Sequence, residues 1–260
     1  MQSLLQQAAD QLWQAEQSLV ACAPIRELYP DISVDDAYAI QKLNIDKAVA
    51  AGRRIVGRKI GLTSTVVQKQ LGVDSPDFGT LLDDKVFANG DSMAVTDLMQ
   101  PKVEAEIALV LKNDLEQPNL TVLDVINAID YVLPAIEVVD SRVENWNIRL
   151  VDTVADNASY GALFIGTTPV KPEQVDFRNC GMVLKKNGSV LSTGTGANCL
   201  GNPLIATLWL AKTMQQNQQP LQAGELILTG ALGAMVTVDS QGAYQAHIQG
   251  VGDVCASFHA

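Results

Sequence analysis

Histidine is nearly missing from this chain: two residues in 260, His247 and His259, both close to the C-terminus. Neither sits beside a Ser or Cys nucleophile pattern, which argues against triad chemistry. Cysteine is also sparse. Cys22, Cys180, Cys199 and Cys255 are scattered without a C-x-x-C pair, so they read as reduced, mostly buried thiols rather than a disulfide framework. Basic charge is in deficit, 18 Lys and Arg against 29 Asp and Glu, for a net charge of −11. That balance excludes nucleic acid and anionic membrane as expected partners. It leaves room for a small anionic substrate, because a bound metal supplies positive charge locally. No uninterrupted apolar run approaches the roughly 18 residues of a membrane span. Met1–Val20 lacks a basic n-region and a long apolar h-region, and mixes Gln, Asp10 and Glu16 with Leu and Trp at helical spacing. It therefore reads as part of the mature fold of a soluble, cytoplasmic protein. Gly194-Thr-Gly196 has no third glycine and no strand–helix context, so a nucleotide site is not expected.

With 47% hydrophobic residues, the chain can build a full core without staples. Ser33-Val-Asp-Asp36 is a capping-box variant that opens a helix through Ala51, with Gly52 as its left-handed stop. A short strand over Arg54–Ile60 follows, then a helical turn from Ser64 to Leu71 stopped by Gly72. Asp74-Ser-Pro-Asp-Phe-Gly79 carries turn signals and reads as a loop. Beyond about Val95 strands dominate, except for helices at about Thr121–Tyr131 and Pro203–Gln215, the second capped by Asn202. Asn187-Gly188 fits a type I′ turn in a hairpin over Gly181–Leu191. Further strands are expected at Glu225–Thr229, Met235–Val238, Ala243–Ile248 and Val254–Phe258. The pattern is α+β: a mainly helical segment, residues 1–55, leading into a strand-rich catalytic domain, residues 56–260.

Glu104 and Glu106 open an otherwise apolar run, Lys102–Leu111, and Glu137 sits alone inside another, Leu133–Val139. In a strand, residues i and i+2 share a face, so Glu104 and Glu106 project together. Carboxylates among Val, Ile and Leu are costly to desolvate unless compensated. One divalent cation would compensate all three, and an all-carboxylate set favours Mg²⁺ or Mn²⁺ over Zn²⁺. The alternative is solvent-facing carboxylates on unrelated edge strands, which suits Glu137 poorly because apolar residues flank it on both sides.

Lys59 lies in Gly57-Arg-Lys-Ile-Gly-Leu-Thr63, where the glycines would let the backbone approach a ligand. It reads either as a charge partner or proton carrier near a metal-bound oxyanion, or as an exposed strand-end lysine. Asp77 reads either as a general acid/base or as ordinary turn chemistry. Asp156-Asn-Ala-Ser159 could supply polar ligand contacts or be a plain loop.

The segments Gly57–Ser64, Val67–Val73, Pro76–Gly79, Glu104-Ala-Glu106, Glu137–Arg142, Asp152–Ser159 and Ile227–Gly230 together resemble the 2-hydroxypenta-2,4-dienoate (2-keto-4-pentenoate) hydratases of the fumarylacetoacetate hydrolase superfamily. The resemblance runs over nearly the whole chain. It implies the superfamily's mixed β-roll, Glu104, Glu106 and Glu137 as ligands of Mg²⁺ or Mn²⁺, and Lys59 and Asp77 as the acid/base pair. Ser159 and Thr229 map to substrate-contacting positions. A homo-oligomer is implied, acting on a 2-hydroxy-dienoate or 2-oxo acid in meta-cleavage of aromatic compounds, with a pathway aldolase or decarboxylase as a partner. Carbon–carbon hydrolases of the superfamily use a His/Glu pair to activate water; no His precedes residue 247 here. 4-Oxalocrotonate decarboxylases typically lack the Pro-Asp-Phe-Gly turn, and dicarboxylate-specific hydratases often carry extra residues between the segments of Arg142 and Asp152. The alternatives are such a decarboxylase, a hydratase of a longer or dicarboxylate substrate, or an inactive partner subunit of a pathway complex.

Overall fold

The computed structural model describes residues 2–64, 68, 73 and 75–260. The expected helical turn Ser64–Leu71 and its stop at Gly72 fall for the most part outside the described residues.

Three helices come first: α1 (Gln2–Ser18), α2 (Ile25–Leu28) and α3 (Val34–Ala50). The capping box forms as its residues dictate. The Ser33 hydroxyl accepts from Asp36 N at 3.1 Å, and the Asp36 carboxylate accepts from Ser33 N at 3.0 Å. Gly52, at φ +98°, carries the chain out of α3. Ala8, Leu12, Ile25 and Ile40 bury one face of these helices against Val143, Val154 and Ala155. The helical segment thus packs directly on the chain that surrounds the site.

An eight-stranded mixed sheet curls into a half-barrel. Its path runs β2 (Asp77–Leu82), β1 (Ile55–Gly61), β10 (Leu226–Ala231), β5 (Pro101–Leu111), β6 (Ile129–Asp140), β7 (Tyr160–Ile165) and β3 (Val86–Ala88), with β11 (Val236–Thr237) also paired to β5. A second sheet has the order β4 (Ser92–Ala94), β13 (Gly252–His259), β12 (Gly242–Ile248), β8 (Gly181–Lys186) and β9 (Ser189–Thr195). Asn187 (φ 49°) and Gly188 (φ 87°) make the expected tight turn between β8 and β9.

Alternation along the strands sorts the two faces of the large sheet. Val103, Ala105, Ile107 and Leu109 of β5 and Val132, Ile136 and Val138 of β6 enter the main core, with Tyr244, Ala246 and Phe258 of the second sheet and Leu210 and Met214 of α6 (Pro203–Gln216). The opposite face carries a smaller cluster of Ala108, Leu133, Ala135, Leu163 and Leu228. The three glutamates lie on this second face.

Three elements differ from expectation. The segment read as a loop is in part a strand: Asp77 begins β2, which pairs antiparallel with β1 and is buried throughout. Pairing and burial override the turn preferences of Asp77 and Gly79. The helix expected at about Thr121–Tyr131 is α4 (Val122–Ala128), because β6 takes over at Ile129. A short additional helix, α5 (Leu150–Ala155), precedes the Asp156–Ser159 segment.

Candidate active site

The β5–β6 ladder sets Glu104 directly opposite Glu137, with Glu106 two residues further along the same face of β5. One carboxylate oxygen from each lies within 4.8 Å of the others. Glu106 and Glu137 are fully buried and Glu104 is partly exposed. Glu106 Oε2 accepts from Gly230 N at 2.8 Å, whereas Glu106 Oε1 and both Glu137 oxygens have no hydrogen-bond partner. Burial, then the charges of Glu137 and Glu104, pushes Glu106 well above the ordinary carboxylate range. Glu104 is pushed up to about 7, chiefly by burial and then by Glu137.

Lys59 reaches this cluster from β1. Its Nζ lies 3.0 Å from Glu137 Oε1, an ion pair without hydrogen-bond directionality, and donates to the Ala158 carbonyl at 2.8 Å. Burial on its own would lower its pKa. Glu137, Asp77, Glu104 and Glu106 together outweigh burial, and the ammonium stays above its usual range. Asp77, buried on β2, faces Gly61 in register. A Cβ at Gly61 would stand 2.1 Å from Asp77 Oδ1, so glycine is what lets this carboxylate sit against β1. Burial raises the Asp77 pKa against the opposing pull of Lys59; Thr153 hydrogen-bonds the side chain, and Oδ1 has no partner.

Asn157, Ala158 and Ser159 hold φ of 52°, 51° and 54°, three consecutive non-glycine residues in the left-handed region. Such backbone persists only where its surroundings fix it. Here Asn157 clamps β2 on both sides of one residue: Thr80 N donates to its Oδ1 at 2.7 Å, and its Nδ2 donates to Thr80 O at 2.9 Å. Behind the turn, buried Arg142 donates from its backbone N to Asp156 Oδ2 at 3.0 Å and from Nε to Oδ1 at 2.5 Å. It also donates from Nη1 to the carbonyls of Asp140 and Tyr160. The Ser159 hydroxyl donates to Asp156 Oδ2 at 3.3 Å.

The fold therefore gathers Glu104, Glu106, Glu137, Lys59 and Asp77, with Ser159 held beside them in the turn that receives Lys59. Thr229 stands apart from this cluster. It is fully buried on β10 and its hydroxyl donates to the Ile107 carbonyl at 3.0 Å. Its neighbour Gly230 supplies the N–H that fixes Glu106. Gly79 and Gly230 were not singled out from sequence; Gly61 and Asn157 were read there as room for a ligand and as a polar ligand contact, not as clearance for Asp77 and a clamp on Thr80.

Unpartnered buried carboxylate oxygens are expensive, and one lysine cannot satisfy three glutamates. The donor set is all oxygen, converges within a few ångströms, and fits a hard divalent cation.

The profile of the fumarylacetoacetate (FAA) hydrolase C-terminal family matches residues 54–259. The chain belongs to the fumarylacetoacetate hydrolase family. Within that family it is 53% identical over 253 residues to a 2-keto-4-pentenoate hydratase of Paraburkholderia xenovorans (strain LB400), covering 97% of this chain and 94% of that protein. A solved structure of 4-oxalocrotonate decarboxylase from Pseudomonas putida G7, complexed with magnesium and adipate, superposes with a TM-score of 0.96 at 36% identity, covering 100% of this chain and 98% of that one. Fumarylpyruvate hydrolase from Pseudomonas aeruginosa, in complex with Mn²⁺ and pyruvate, shares the fold at a TM-score of 0.62 and 14% identity, covering 79% of this chain and 88% of that one.

Proposed function

We propose that this protein is a metal-dependent hydratase that adds water to 2-hydroxypenta-2,4-dienoate, giving 4-hydroxy-2-oxopentanoate in the meta-cleavage breakdown of aromatic compounds. One observation carries the reading: three carboxylates, two of them with unpartnered buried oxygens, converge beside a charged lysine, in a chain 53% identical to a 2-keto-4-pentenoate hydratase.

Glu104, Glu106 and Glu137 would hold Mg²⁺ or Mn²⁺. When bound, the ion supplies Lewis acidity toward the carboxylate and C2 oxygen of a 2-oxo acid. Lys59, kept protonated by its carboxylate neighbours, offsets negative charge that develops on the C2 oxygen. Asp77, with a raised pKa and a free Oδ1, carries the protons. The dienol ketonises by protonation at C5, water adds at C4 of the resulting enone, and protonation at C3 completes the product. Ser159, oriented by Asp156, would contact the substrate, and Thr229 supports β10 where Gly230 meets Glu106. The reading carries with it a cytoplasmic homo-oligomer working beside the pathway's aldolase or decarboxylase.

The second reading is decarboxylation of 4-oxalocrotonate, favoured by the superposition on that decarboxylase. Both substrates, offered with Mg²⁺, separate the two. Loss of the dienoate absorbance with formation of 4-hydroxy-2-oxopentanoate supports the hydratase, and CO₂ release from oxalocrotonate sinks it in favour of the decarboxylase.

A further inference from the structure

β1 presents two adjacent cations to opposite faces of the sheet. Lys59 turns to the glutamates; Arg58 turns to the side of Ile60, where it lies opposite Thr80 of β2. Arg58 is only 7% exposed. Its Nη1 makes two long contacts, to Gly57 O and to Thr80 Oγ1, both at 3.3 Å, and its buried Nε has no partner. Nη2 makes no hydrogen bond to any described residue. No carboxylate of the described residues forms an ion pair with it. Glu225 acts on it from further away, with its own carboxylate taken by Gln222 N at 2.9 Å. Burial depresses the guanidinium's pKa and Glu225 only partly opposes this.

Arg58 lies at the edge of a cleft of about 540 Å³ between α3 and the end of α6, lined also by Tyr38, Gln41, Thr80, Asn217 and Gln219. Asp35 and Asp46 are exposed in its wall, and Asp46 is paired with Lys42 at 2.6 Å, so neither neutralises Arg58. A buried cation without a counter-charge is destabilising. The Nε–Nη2 edge of a guanidinium is the one that takes a carboxylate through two parallel hydrogen bonds, and on Arg58 neither atom of that edge has a partner among the described residues. We propose that this cleft is a second anion site, on the sheet face away from the glutamates, in which Arg58 binds a carboxylate. That carboxylate comes either from a small molecule or from an acidic side chain of a second copy of this chain. The site is independent of the hydratase reading.

Acetate titrated calorimetrically into the Mg²⁺-loaded protein, wild type beside Arg58→Gln and Arg58→Lys, tests the proposal. Acetate taken up at the glutamate cluster is common to all three proteins, so the difference between them reports Arg58 alone. A small-molecule site gives one saturable acetate event in wild type that weakens about tenfold or more in Arg58→Gln, the loss expected of a charge-assisted hydrogen bond. Arg58→Lys, which keeps the charge, retains part of it. A carboxylate from a second copy gives no such event; instead wild type sediments as an assembly that the substitutions break into smaller species. Should Arg58→Gln fail to fold, Arg58→Lys is judged by the same two readouts. Equal acetate affinity across the proteins with unchanged sedimentation overturns the proposal.

Discussion

Gly61 and Asp77 face each other across the β1–β2 pair so closely that a single added carbon on residue 61 would stand 2.1 Å from Asp77 Oδ1. Gly61→Ala must therefore push the carboxylate aside without touching the glutamates. The expected result is a fall in kcat of about a hundredfold, the scale of an ångström-size misplacement, with Mg²⁺ affinity unchanged. Steady-state kinetics with calorimetric metal titration measures both. Normal turnover in this variant would return Asp77 to a structural role.

Lys59 is the cation that the three glutamates share when no metal is bound. Lys59→Met should slow turnover by about 10²–10³-fold, the scale of losing one electrostatic stabiliser of developing negative charge. It should also lower the melting temperature of chelator-treated protein, and Mg²⁺ should recover more stability in the variant than in wild type. Scanning calorimetry with and without Mg²⁺ gives the comparison. An unchanged melting temperature in chelator would contradict the ion pair.

Glu106→Gln separates folding from function in the opposite direction. The amide oxygen can still accept from Gly230 N, while a carboxyl whose charged form is disfavoured by burial and by Glu137 and Glu104 gives way to a neutral group. Metal-dependent turnover should vanish. In chelator the variant should melt higher than wild type, by about 2–4 °C for each kcal/mol of relieved repulsion. A lower melting temperature would mean that Glu106 stabilises the empty fold.

Asn157→Ala removes both clamps on Thr80 and loosens the turn that receives Lys59 through the Ala158 carbonyl. A stability loss of about 1–3 kcal/mol is expected, the cost of unsatisfied buried backbone groups. The kinetic signature should be a fall in kcat larger than any rise in KM, because Lys59 and Asp77 shift while the three glutamates stay. A change confined to KM would place Asn157 against the substrate instead.

The glutamates were legible in the sequence because strand alternation and apolar flanks are local properties, and a carboxylate inside Leu133–Val139 breaks them visibly. Asp77 was harder. Pro76 and Gly79 signal a turn, yet Gly79 is there for clearance: a Cβ would meet Asn157 O at 2.6 Å and the Lys59 side chain at 3.0 Å. Nothing within the segment announces contacts with residues 20 and 78 positions away. The same holds for Ala158, whose left-handed backbone no local preference would suggest; Asn157 and its grip on β2 impose it. Helix α5 was missed because six residues show too little of a period to read. Helix α3, by contrast, announced both its ends through Ser33, Asp36 and Gly52.

The β5–β6 ladder pairs Glu104 with Glu137 in the middle of a continuous run from Pro101↔Asp140 to Val110↔Tyr131. Slipping such a ladder by one position turns every side chain to the other face. A one-residue deletion between Glu106 and Val132 that was absorbed by the strands would send one of the three glutamates into the hydrocarbon interior, whereas one absorbed by the connecting residues 112–128 would leave their convergence intact. Length can thus change in the connection between β5 and β6, while the three acidic groups move only together or not at all.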